Sequence, residues 1–376
     1  MKIVLLTVHD AASGRKVDFH FWADVFEQRK IMVDFVTVGF SPVTLAKPGG
    51  RSYPRPYNSW VELSPFISKF VWCAPLHPFN AHQPILNRLL GFPFRLYGAM
   101  MPDRLLRHFG DCDLFIVENG AGLLLIPRLK KLFPKAQFIY SVCDRIETLD
   151  YHPVILEAEQ QALRHVDLVR VPSPVMEADY KGKARVAFIP HGLDKSLFDK
   201  DCPNPYSSPR NAVSVGDMLF DANAIAFLAD RYPDWTFHLF GRGAKLDRDR
   251  QNVKTHGEVP FNTLIPYLKH ADIGLAPYRP AVNADYVSQS SLKMIQYTYC
   301  RLPIVAPAFA ASGRDHVLPY DPTRPETIAS AFQQAIIFNR SQIDPAQVRS
   351  WTDTVDEMMK AVTCRDQKTD SFAAIS

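Results

Sequence analysis

Between residues 285 and 297 the chain reads Asp285, Tyr286, Val287, Ser288, Gln289, Ser290, Ser291, Leu292, Lys293, Met294, Ile295, Gln296, Tyr297. On a helix that begins near Ser290 or Ser291, both hydroxyls and the first free amides lie at the positive end of the helix dipole. Lys293 follows one turn in, and Gln296 lies three residues further on a similar face. Amides, hydroxyls and a lysine at a helix start are the parts of a diphosphate site. The alternative is a capped amphipathic helix with a solvated lysine. Upstream, Val215, Gly216, Asp217 and Met218 lead from a strand through a glycine turn to Asp221. There the backbone either approaches a phosphate or simply turns.

Glu258 and Tyr278 each end a strand pattern. A carboxylate at that place could bind a ribose or base edge, and a tyrosine could donate to a phosphate or stack; the plainer readings are a surface acid and a core-edge tyrosine. In the other half, Asp144 follows the buried run Tyr140, Ser141, Val142, Cys143. It is either a general base within reach of an attacking hydroxyl or a loop carboxylate. His9 and Asp10, at the end of the first strand, either contact substrate or cap it. Asp111 with Asp113, and Asp247 with Asp249, match an Asp-x-Asp metal pattern. The first pair runs straight into a strand and the second lies in a charged loop, so no metal is expected.

The elements that must position these groups are short apolar strands alternating with helices. Strand patterns cover 2–8, 31–38, 69–74, 113–118, 136–142, 167–171 and 185–189, then 211–215, 235–240, 253–256, 272–276 and 303–306. Helical patterns cover 18–29, 84–108 (broken at Pro93 and Pro102), 121–132, 154–165, 222–231, 261–270, 285–300 and 325–338. Continuous apolar strands belong to parallel sheets covered on both faces, so the fold class is α/β with two Rossmann-like doubly wound domains. A proline-rich, aperiodic stretch at 199–210 reads as a linker. The expected units are 1–200 for acceptor and membrane, 211–350 for donor, and 351–376 as a helix and tail packing back toward the first domain. Ligands are expected in the cleft between the domains.

Composition narrows the classes further. The 376 residues carry a net charge of +4, but residues 41–110 hold eight basic and two acidic side chains, so the excess lies wholly there. Arg51, Arg55, Lys69, Arg88, Arg95, Arg104 and Arg107 alternate with Phe92, Phe94, Leu96, Tyr97, Met100, Met101, Leu105 and Leu106. With no nucleic-acid motif present, that segment points to an anionic membrane surface or a lipid-linked phosphate, or else to a packed helix pair with a solvated basic face. No apolar run reaches membrane-spanning length, and the start is too short and polar for a signal peptide. The six cysteines show no Cys-x-x-Cys and read as small core side chains in a reducing compartment. Residues 365–376 read as a frayed tail.

Taken in order, several strings resemble one family. They are His9-Asp10, His77 to Asn80, Ser173 to Met176, His191-Gly192, Val215 to Asp221, Gly257-Glu258, Lys269 to Ala271, Ala276 to Tyr278, Ser290 to Lys293, Gln296-Tyr297, Leu302-Pro303 and Trp351 to Thr354. Their succession from residue 9 to about 354 is similar to the GumK-like glucuronosyltransferases of xanthan-type exopolysaccharide assembly, glycosyltransferase family 70, of GT-B fold. That resemblance implies a metal-independent, inverting transfer of glucuronate from UDP-glucuronate to a mannose of a polyprenyl-diphosphate-linked oligosaccharide. The enzyme would lie peripherally on the cytoplasmic face of the bacterial inner membrane. It implies Asp144 as general base, and Met218, Glu258, Tyr278, Ser291, Leu292, Lys293 and Gln296 as UDP contacts. Asp179, Asp194 and Asp221 match further cleft acids. Leu292 replaces the family's methionine, and Arg145, Ile146 and Glu147 replace smaller residues after Asp144.

Overall fold

A computed structural model describes residues 1–14, 16–46, 53–311 and 313–364. The first half builds an eight-stranded sheet. Its strands are β1 (Lys2–Thr7), β2 (Met32–Phe40), β3 (Trp60–Glu62), β4 (Ile67–Cys73), β5 (Leu114–Glu118), β6 (Gln137–Ser141), β7 (Leu168–Val171) and β8 (Val186–Phe188). Their spatial order is β3-β4-β2-β1-β5-β6-β7-β8, parallel except where β3 runs against β4. The second half adds β9 (Asn211–Val215), β10 (Thr236–Phe240), β11 (Val253–Gly257), β12 (Ile273–Leu275), β13 (Ile304–Pro307) and β14 (Val317–Tyr320). These pair in parallel in the order β11-β10-β9-β12-β13-β14.

Both orders reverse beside the first strand of the unit, between β1 and β5 and between β9 and β12. Neighbouring loops diverge at such a point, which opens a crevice at the carboxyl ends of the strands. The strands are apolar on both faces because both faces are covered. In β1, Ile3 and Leu5 join one buried cluster while Val4 and Leu6 join another, as the two-residue pleat requires.

Several elements differ from the sequence reading. Edge strands β3 and β14 are short, with a three-residue and a four-residue run too brief to show a period. Pro93 does not break its helix: Pro84–Arg95 runs through it and ends two residues later, giving up the bond that an amide at 93 would donate to the Leu89 carbonyl. The expected helix at 285–300 is two helices, Val287–Ser290 and Leu292–Tyr299, separated by extended backbone at Ser291. The 199–210 stretch is pinned to the second sheet's helices: Tyr299 donates to Asp199 at 2.6 Å and Tyr206 donates to the Tyr267 carbonyl at 2.7 Å.

The chain's final described helix, Trp351–Thr363, lies against Asp18–Gln28 on the first sheet. Ser350 and Asp353 form a reciprocal capping box at its start. Trp351 stacks on Phe21 with centroids 4.9 Å apart, and Gln137 donates to the Val362 carbonyl at 2.9 Å. The entry is set at Gly192, where a Cβ would stand 2.6 Å from the Trp351 nitrogen, so only glycine lets the two backbones pass. Beneath it, Asp18 is buried with His191 at 2.6 Å and Arg170 at 3.2 Å. Burial acts to raise the Asp18 carboxyl, yet His191 and Arg170 outweigh it and hold it below the ordinary value. Residues 365–376, read above as a tail, lie outside the described residues.

Trp351→Ala removes a buried indole and its stacking partner's cover. We expect a loss of about 3–5 kcal/mol in denaturant unfolding of the first domain; a loss under about 1 kcal/mol would show that this helix is not part of that core.

Candidate functional site

In the second domain the crevice is built around Gly216. Its φ of +79° is a left-handed value that glycine adopts freely, and its amide donates to the Phe240 carbonyl at 2.7 Å. Lys293 reaches over this turn: a Cβ on Gly216 would meet the lysine Nζ at 3.8 Å. The ammonium also lies 4.6 Å from the centre of the Tyr278 ring. Tyr278 is buried and its hydroxyl shares a hydrogen with Ser291 Oγ at 2.6 Å. The kink at Ser291 therefore starts the helix Leu292–Tyr299 at the crevice, with its first amides unpaired within the helix.

Gln296 is buried one turn further, and its Oε1 has no hydrogen-bond partner. A buried acceptor left unpaired is costly unless a ligand donor meets it. Burial pulls the Lys293 amine down to about 8, although Asp217 partly restores it. An incoming dianion would reverse that effect by pairing with the charged form. Lysine, helix amides, Tyr278, Ser291 and Gln296 together can take a diphosphate and an adjoining hydroxyl-bearing group.

The other predicted residues of this domain stand differently. Ser290 is buried and donates back to the Tyr286 carbonyl at 3.1 Å, so its hydroxyl serves its own helix. Met218 is exposed at the turn, and Leu292 opens the helix. Glu258 is exposed at the end of β11 and receives Arg242 at 3.2 Å. Asp221 caps the helix Ala222–Arg231 by accepting from the Asn223 and Ala224 amides. Asp194 accepts from Ser196 at 2.6 Å at the start of Lys195–Asp199.

Across the cleft, Asp144 follows β6 and is half-buried. Its Oδ1 accepts a 2.8 Å hydrogen bond from the Tyr286 hydroxyl, which belongs to the second domain. Burial raises its carboxyl above the ordinary value; Tyr286 and His191 offset part of that, and Glu118 and Asp18 add to it. A carboxylate raised in this way is a better proton acceptor than an exposed one. The same loop is gripped twice more. Arg145 bonds Asp179 at 2.8 Å, then Asp285 at 2.7 Å and the Asn283 carbonyl at 2.9 Å in the other domain. Asp179 is thus a partner of Arg145.

Sequence reasoning missed Asn119 and Glu118, at the end of β5 beside the switch point. Asn119 is buried, accepts from the Cys143 amide at 3.0 Å and donates to the Asp144 carbonyl at 3.2 Å, fixing the backbone on both sides of the carboxylate. Glu118 accepts from Thr7 and from the Val8 amide, and faces His9 at 3.6 Å. Burial acts to raise the Glu118 carboxyl, but these partners hold it low. An acid at a strand's carboxyl end beside the switch point was the available signal. Asp10 is buried, tied to the Ala12 amide and to Lys69.

Lys69 is therefore removed from the basic surface expected of segment 41–110: it is buried because Asp10 neutralises it. Phe94, Tyr97, Met101 and Leu105 are likewise core residues, whereas Arg88, Phe92, Arg95 and Leu96 are exposed. Arg51 lies outside the described residues. Among the described residues, no group of three or more His, Cys, Asp or Glu side chains is placed to hold a metal ion. No described helix is long and apolar enough to cross a membrane.

Residues 5–172 match the family model described as glucuronosyltransferase GumK, N-terminal domain, and residues 215–337 match glycosyl transferases group 1. The chain is 27% identical over 357 residues to the UDP-glucuronate:glycolipid 2-beta-glucuronosyltransferase of Xanthomonas campestris pv. campestris, spanning 95% of this chain and 88% of that protein. Among solved structures, an α,α-trehalose 6-phosphate synthase from Burkholderia multivorans superposes with a TM-score of 0.63 at 12% identity, over 96% of this chain and 98% of that one. The calicheamicin glycosyltransferase CalG4 superposes at 0.53 and 12% identity, over 96% and 98%. These neighbours carry the GT-B arrangement of two facing α/β domains, which is the fold of this chain.

Titration of Lys293 gives a direct check with UDP as a nucleoside diphosphate probe. Its folded-state value near 8 means the ammonium is present below that pH and lost above it. UDP affinity measured by calorimetry should be flat near neutrality and weaken by up to about tenfold per pH unit above about 8. Lys293→Met should bind UDP weakly with that pH dependence abolished; an unchanged profile would remove Lys293 from the anion site.

Proposed function

We propose, for a chain that is a GT-B glycosyltransferase with a GumK-type N-terminal domain and a group 1 C-terminal domain, that it transfers glucuronate from UDP-glucuronate to a glycolipid. The acceptor we infer is a mannose of a polyprenyl-diphosphate-linked oligosaccharide, and the transfer inverts the anomeric centre. The observation that carries this reading is that a carboxylate of the first domain and a lysine of the second converge on the same tyrosines: Tyr286 donates to Asp144 at 2.8 Å, the Asp144 charge bears on Tyr278, and the Lys293 ammonium lies 4.6 Å from the Tyr278 ring.

In this reading UDP lies on the second domain. Lys293 and the amides at the start of Leu292–Tyr299 take the diphosphate, with Tyr278 and Ser291 beside it. Gln296 Oε1 accepts from a donor hydroxyl, Glu258 takes the ribose or base edge, and the Met218 backbone and Leu292 line the nucleoside. Asp144 removes the proton from the acceptor hydroxyl as its oxygen attacks the anomeric carbon from the face opposite UDP. The bond to the diphosphate breaks as the new glycosidic bond forms, and the charge that gathers on the leaving group is met by Lys293 and the helix amides without a metal. Tyr286 steadies the Asp144 carboxylate from the opposite domain, so the base is complete only when the domains meet. His9, Asp10, Asp179, Asp194 and Asp221 are given supporting roles here, through the bonds described above, with none of them required to touch the donor.

The acceptor's lipid places the enzyme peripherally on the cytoplasmic face of the inner membrane. On Pro84–Arg95, Ile85, Leu89 and Phe92 recur at helical spacing and are 78%, 69% and 69% exposed, with Arg88 on the adjoining face and Arg95 beyond it, paired with Glu157 at 2.6 Å. An exposed apolar stripe flanked by arginines fits an anionic lipid interface.

Asp144→Asn tests the reaction. Transfer should fall about 10²–10⁴-fold while UDP affinity is kept, and the wild-type product, its linkage read by NMR, should be β. Wild-type rates in the variant, or an α product, would defeat the assignment. Sedimentation with anionic vesicles tests the surface: the double variant Leu89→Ser with Phe92→Ser should bind about tenfold more weakly, and binding should also weaken as salt rises. Undiminished sedimentation of the variant would exclude this helix.

A further inference from the structure

Arg314 lies between β13 and β14, in a loop whose first turn, Ala308–Ala310, packs on Val287–Ser290. Its guanidinium is largely enclosed. Nη2 donates to the Gln289 carbonyl at a long 3.4 Å, and Nη1 is buried with no hydrogen-bond partner. No carboxylate among the described residues pairs with it, unlike the buried Arg170, which is held by Asp18. Its positive charge bears on the Tyr278 phenol, whose hydroxyl is shared with Ser291. Lys293 lies over the ring of that same tyrosine. Tyr278 thus has two cations bearing on it, Lys293 over its ring beside the helix start and Arg314 from the loop between β13 and β14.

A buried guanidinium without an anion is poorly compensated, and its planar fork matches a carboxylate through two parallel hydrogen bonds. We propose that Arg314 binds the carboxylate of the donor's uronic sugar and so selects it over the neutral hexose. The selection is asymmetric. A uronate completes the unpaired Nη1, whereas a hexose hydroxymethyl group leaves a buried charge without a counter-charge. This inference rests on the glucuronate-donor reading and explains it by a single contact.

The test compares wild type, Arg314→Gln and Arg314→Lys with UDP-glucuronate and UDP-glucose as donors, alongside UDP affinity by calorimetry. For Arg314→Gln, kcat/KM with UDP-glucuronate should fall about a hundredfold or more relative to UDP-glucose, with UDP affinity within about twofold of wild type. Arg314→Lys should recover part of the preference, because it restores the charge without the fork. UDP binding also reports that the variants are folded. A preserved donor ratio in both variants would overturn the proposal. So would a UDP affinity that falls as far as transfer does, which would make Arg314 a diphosphate ligand. A wild-type enzyme that itself prefers UDP-glucose would instead defeat the glucuronate-donor reading, and the carboxylate contact with it.

Discussion

Everything at this site depends on one contact between domains, the grip of 283–286 on the loop that carries Asp144. Tyr286 donates to the Asp144 carboxylate, and Arg145 spans from Asp179 of its own domain to Asp285 and Asn283 of the other. Neither half contains both Asp144 and the Lys293 helix start. Their separation is set by how two sheets meet, and these bonds fix it. The loop has little freedom to be anywhere else, because Asn119 holds the backbone on both sides of Asp144. A carboxylate held in this way has its orientation set by the fold before any ligand arrives.

The electrostatics on the two sides are opposite in sense and alike in cause. Burial makes a carboxylate reluctant to ionise and an ammonium reluctant to hold its proton. At Asp144 the result is a carboxyl raised above its ordinary value, and at Lys293 an amine lowered to about 8, with Asp217 offsetting part of the fall. The cost of burying these groups is borne by the rest of the fold. The two clusters on either face of the first sheet, and the helix Trp351–Thr363 laid against Asp18–Gln28, supply the apolar burial that offsets it.

The basic excess of residues 41–110 acquires a different meaning in three dimensions. Sequence alone counts Lys69 with the arginines, yet it is paired in the interior with Asp10. Phe94 and Phe92 are two residues apart and look equivalent in a list. The helix turns one into the core and the other to solvent. What remains on the surface is a narrower feature, an exposed apolar stripe with Arg88 and Arg95 alongside, and this is better defined than a net charge.

The alternation of apolar strands with amphipathic helices was legible in the sequence because it is local, and parallel sheets write it as continuous apolar runs. So were the residue types at the helix start, Ser291, Lys293 and Gln296, since spacing along one helix is set by its pitch. The kink at Ser291, the donation from Tyr286 to Asp144, the hold of Asn119 on that loop and the unpaired Arg314 were not legible. Tyr286 and Asp144 are 142 residues apart, and no periodicity records which distant loops meet when two domains close. The sequence by itself determined the elements and the chemistry available to them. Tertiary packing alone decided which charges are buried, which are paired and which face each other, because those depend on distances through space and on water excluded by the whole fold.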